Sequence, residues 1–62
     1  MTSQQFRDLR KTLGLNQTEL ADRLGMTQPM VSRIERGDRE PTNQQGAAIL
    51  LLRELLKGGK NS

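Results

Sequence analysis

Apolar residues recur at spacings of three and four in four blocks, separated by polar breaks that contain glycine or proline. Phe6, Leu9 and Leu13 form one stripe, which predicts a helix from about Ser3 to Leu13. Leu20, Ala21 and Leu24 make a second face after Asn16, and Met30, Val31 and Ile34 a third after Thr27. A fourth block, "AAILLLRELL", carries apolar residues over an arc of roughly 200°, at 100° per residue. No segment alternates with the period of a strand.

The breaks punctuate these blocks in helix-specific ways. Thr2/Gln5, Asn16/Glu19 and Thr42/Gln45 all have capping-box spacing, in which two side chains satisfy orphan N–H groups reciprocally. Pro29 falls in the first turn after Thr27, where a missing N–H is no loss. Gly14, Gly25 and Gly37 follow the first three blocks, where a left-handed residue ends a helix. The fourth helix is expected to run from the Thr42 cap to about Lys57. One domain over 1–57 is followed by a flexible tail over 58–62.

The interruption in "NQTELADRLGMTQPMVSRIERG" decides the architecture. Two short helices joined by a tight glycine turn cannot run on as one helix; they cross steeply, as a helix-turn-helix does. Ala21 supplies the small side chain at the crossing, Gly25 the turn, and Val31 and Ile34 the buried side of the third helix. Gln28, Ser32 and Arg33 then face outward. Glutamine can pair with adenine, and arginine with guanine, in the DNA major groove. On residue types alone a merely solvated face explains them as well; the whole constellation favours DNA.

Composition narrows the function further. A chain of 62 residues is a single small domain, and with no cysteine it has neither a disulfide nor a thiolate metal site. With no histidine either, the seven carboxylates lack the usual catalytic partners. Neither an enzyme nor a metal or other cofactor is expected, and no small-molecule ligand. The start "MTSQQFRDLR" has no signal-peptide core, and "AAILLL" is too short to span a membrane, so a cytoplasmic location is expected. The net charge of +3 suits an anionic partner, but it is spread without a polybasic block. Single-stranded RNA is disfavoured, since its readers stack bases on aromatics and Phe6 is the only aromatic.

From Leu9 to Gly37, "LRKTLGLNQTELADRLGMTQPMVSRIERG" resembles the phage Cro/cI-type repressors, the lambda-repressor-like or XRE-type family. The resemblance implies an all-α bundle of four short helices, or five where the last part is divided as in many relatives. It implies a sequence-specific DNA-binding transcriptional regulator. Gln17 would support phosphate contact and touch a base-reading Gln28. Arg10 and Glu35 match an arginine–glutamate pair of the family, so Glu35 reads as structural. Pro29 departs from the polar residue many relatives place there; its ring could contact a thymine methyl. Base contacts are thus expected from Gln28, Pro29, Ser32 and Arg33.

Phosphate contacts are expected from Asn16, Gln17 and Thr27 at helix starts, and from Arg36, Arg39 and Asn43 after the recognition helix. The broad apolar arc of the fourth helix exceeds what one core needs. Ala48, Leu52 and Leu55 are expected inward, and Ile49, Leu50 and Leu56 at a homodimer interface. A two-fold dimer would read a palindromic operator, as a small repressor of phage or mobile-element origin does, regulated by its own concentration and operator affinity. An antitoxin-type or protein-interaction module on the same fold is the alternative.

Overall fold

The computed structural model describes residues 1–58. The four helices are α1 (Ser3–Thr12), α2 (Gln17–Leu24), α3 (Gln28–Arg36) and α4 (Asn43–Gly58), with no strand among the described residues. The part after Pro41 is one continuous helix rather than two. Of the tail expected over 58–62, Gly58 ends α4, and 59–62 lie outside the described residues.

All three capping boxes form. Thr2 Oγ1 accepts from the Gln5 N–H at 3.1 Å and Asn16 Oδ1 from the Glu19 N–H at 2.7 Å. Thr42 Oγ1 accepts from the Gln45 N–H at 3.1 Å, and the Gln45 side chain answers at 3.0 Å. Thr27 caps α3 by accepting from the Met30 N–H, with Pro29 in the first turn. These side chains set where each helix starts, because they satisfy donors that the helix itself cannot.

Gly25 sets the turn between α2 and α3. Its φ of 70° lies in the left-handed region, which costs glycine little. That conformation lets the Met26 N–H reach back to the Ala21 carbonyl at 2.8 Å. The chain therefore reverses tightly and α3 crosses α2 instead of extending it.

The core consists of Phe6, Leu20, Ala21, Val31, Ile34 and Ile49, all fully or almost fully buried. Leu15 and Met26 pack against it from the residues just before the α2 and α3 caps, where a hydrophobic staple belongs. Both α3 and α4 pack on α1 and α2, so α3 keeps one side free.

The phase of α4 differs from the sequence expectation. Ile49, expected at a dimer interface, is completely buried in the core, while Leu55, expected inward, is 64% exposed. Gly46, Ile49 and Leu52 follow one another at i, i+3 and i+6 and turn toward the core. Gly46 lies where α4 meets the amino terminus, beside the Met1 side chain. Leu56 continues the inward row, but at 16 residues α4 outruns the 10-residue α1, and Leu56 stays exposed.

A methyl group at Gly46 would meet Met1 side-chain atoms at 3.6 to 3.9 Å, ordinary contact distances. Gly46→Ala is therefore expected to raise stability by about 0.5–1 kcal/mol through helix propensity. Urea denaturation checks this, and a lower midpoint would show that α4 cannot accept the methyl.

Candidate nucleic-acid interface

α3 buries Val31 and Ile34 and presents two polar rows. Pro29, Arg33 and Arg36, at i, i+4 and i+7, are exposed. Gln28 and Ser32, at i and i+4, form the second row; Gln28 is exposed and Ser32 half-buried. The next residue of that row, Glu35, turns inward and meets α1.

There Glu35 forms a two-pronged ion pair with Arg10. Arg10 Nε donates to Glu35 Oε2 at 2.6 Å and Arg10 Nη2 to Oε1 at 2.9 Å. The side chains are only 14% and 5% exposed. The remaining arm of the guanidinium, Nη1, donates to the Leu15 carbonyl at 3.0 Å. The pair thus ties α1, the α1–α2 turn and the end of α3 together. Burial pushes the Glu35 carboxyl up, but hydrogen bonds from Arg10 and Gln17 and the charges of Arg10 and Arg7 outweigh it. The net result lies below the usual carboxylate range. The hydrogen bond to Glu35 likewise raises Arg10.

The sign of the Glu35 shift sets a pH dependence. A carboxyl held low in the fold contributes stability that is complete above its unfolded value, near 4.5, and is lost as pH falls through the folded value. Denaturant midpoints are therefore expected to fall as pH drops below about 4.5, with Glu35→Gln lacking that part of the slope. Identical slopes in both proteins would contradict the pairing.

A chain of amides leads from this ion pair to the exposed face. Gln17 Nε2 donates to Glu35 Oε1 at 3.2 Å, and Gln28 Nε2 donates to Gln17 Oε1 at 2.7 Å. The structure thus places Gln17 and Gln28 together at the facing starts of α2 and α3. The Gln17–Glu35 bond and the Leu15 carbonyl contact had no signal in the sequence. The first joins residues 18 positions apart, which only the crossing of α2 and α3 brings into range; the second spans 5 positions and depends on the turn after α1.

The remaining candidates sit around this face. Asn16 and Thr27 use their side chains as caps. The cap residue and the third helical residue of α2 are already paired through the box, which leaves the N–H groups of Gln17 and Thr18 pointing out of the helix start. Arg36 pairs with Asp38 at 2.9 Å, an exposed contact. Arg39 lies across α3, with Nη1 at 3.3 Å from the Met30 sulfur, and its carbonyl accepts from the Ser3 hydroxyl. Asn43 is exposed in the first turn of α4. Arg33 has no ion-pair partner among the described residues. Leu50 and Leu56 line shallow grooves between α1 and α4, on another part of the surface.

A glycine-turned helix pair carrying an exposed polar helix, braced from behind by an ion pair, defines a helix-turn-helix domain. A family model described as helix-turn-helix matches residues 6–50, most of the chain. The protein belongs to this family, the Cro/cI-like helix-turn-helix proteins, which are DNA-binding transcription regulators acting on double-stranded DNA. Comparison with curated proteins and with solved structures gives no match. Among the described residues, no helix is long and apolar enough to cross a membrane.

Proposed function

We propose that the protein is a small homodimeric repressor, of the kind phages and mobile elements carry, that reads a palindromic operator through the major groove. The observation that carries this reading is the outward face of α3. Gln28, Pro29, Ser32 and Arg33 stand on it in two adjacent rows, and Gln28 is held by Gln17. These four contact bases. The starts of α2 and α3, with Asn16, Gln17 and Thr27, and the basic and polar residues Arg36, Arg39 and Asn43 contact the flanking phosphates. Helix starts and arginines both favour anions.

The second half of α4 supports the dimer. Leu50, Leu51, Leu55 and Leu56 are all exposed, Leu51 and Leu55 by 61% and 64%. So many exposed leucines on one helix mark an interface more often than a free surface. Pairing two copies through them places two recognition helices on one side of the duplex, about 34 Å apart, one DNA turn. Ile49 has no part in this interface, since the core takes it.

Sedimentation of the chain with a palindromic duplex obtained by binding-site selection tests the proposal. Two chains per duplex are expected. Leu55→Glu, at a position the folded monomer leaves exposed, is expected to weaken the complex without unfolding the chain. A native complex holding one chain, or no complex at all, would contradict the proposal.

A further inference from the structure

We infer that Glu35 is a positioning residue for base recognition, setting through Gln17 which end of the Gln28 amide faces the DNA. The inference rests on the reading of Gln28 as a base contact. An ionised carboxylate only accepts hydrogen bonds. Glu35 Oε1 therefore compels Gln17 to turn its amino end inward, and the two are 3.2 Å apart. The carbonyl end of Gln17 is then the end that faces Gln28. It can only accept, so Gln28 must offer its own amino end, and does so at 2.7 Å.

The consequence reaches the exposed surface. One N–H of Gln28 is committed to Gln17, and its second N–H and its carbonyl remain, in a fixed order. Adenine offers an acceptor and a donor side by side on its major-groove edge, whereas guanine offers two acceptors. A donor–acceptor pair in fixed order matches adenine in one orientation. An unanchored amide turns over freely and presents both orders, so it discriminates less. The origin of the relay is itself rigid. Arg10 grips both oxygens of Glu35 and the Leu15 carbonyl, so the carboxylate cannot rotate away. Glu35 is thus more than a brace for the fold.

The test reads ratios of affinity, which neither partial unfolding nor a lost phosphate contact alters. A selected duplex is varied through all four base pairs at the position where Gln28→Ala becomes indifferent. Glu35→Gln can present either an amino group or a carbonyl to Gln17, so both orders of the relay become available. It is expected to reduce the native preference there at least about fivefold, within the range of a single bidentate contact. The exchange of Glu35→Gln with Gln17→Glu restores an acceptor facing Gln28 and is expected to restore the preference, even if overall affinity falls. An unchanged ratio in Glu35→Gln, or no recovery in the exchange, overturns the proposal. Should Glu35→Gln fail to fold, Gln17→Met cuts the relay while keeping the Arg10–Glu35 pair, and an unchanged ratio there overturns it too. If Gln28→Ala relaxes no position, the base contact itself is absent and the proposal falls with it; relaxation by Gln28→Ala alone refutes only the relay.

Discussion

Glu35→Ala is expected to lower the stability of the chain severely at 25 °C. Removing the carboxylate strands the Arg10 guanidinium, 14% exposed, against the end of α3. Breaking a fully buried pair from one side costs about 3–5 kcal/mol, because the remaining charge keeps its desolvation penalty without its partner; Arg10 and Glu35 are part-buried, which puts the loss at the lower end or below it. A core of this size supplies about 3–5 kcal/mol in all, so such a loss takes a large part of the whole stability. Arg10→Ala is expected to do less damage, since Glu35 can take up a proton once its cation is gone. Replacing both by apolar residues of similar volume should recover much of the stability. Urea denaturation of the two alanine variants and of the double alanine variant gives the coupling directly. Coupling near zero would mean that the pair behaves as an exposed surface contact.

The second large effect concerns DNA. Arg33→Ala and Gln28→Ala are each expected to cost about 1–3 kcal/mol on the cognate site, roughly five- to 150-fold in affinity, and to relax preference at separate base pairs. Arg33 is exposed and without an ion-pair partner among the described residues, so its planar fork is available to the two acceptors of a guanine. Gln28 lies one turn earlier, in the neighbouring row. Competition with random duplex separates the two roles. A base contact is lost on the cognate site alone, whereas a phosphate contact is lost on both.

Local chemistry made most of the fold legible. Capping boxes at Thr2, Asn16 and Thr42, and glycines after each of the first three helices, act within a few residues. The spacing of a handful of side chains therefore marks the helix boundaries. The steep crossing of α2 and α3 followed from Ala21, Gly25, Val31 and Ile34 for the same reason. The phase of α4 was not legible. Its apolar arc is so broad that Ile49 and Leu55 look equivalent on a helical wheel. What separates them is which row of α4 meets α1 and α2, a property of the packed molecule. The outward-facing residues of α3 were nameable in advance. The contact of Gln17 with Gln28 followed from the family resemblance; the Gln17–Glu35 bond did not, because it exists only once α2 and α3 cross.

Equilibrium competition at one fixed salt concentration, between a duplex selected by the protein and a random duplex of equal length, bears most directly on recognition by α3. The native chain is expected to favour the selected duplex by at least about 10³-fold. Gln28→Ala and Arg33→Ala should narrow that gap from the selected side only. Equal affinity for both duplexes, or variants that weaken both alike, would contradict sequence recognition by this helix.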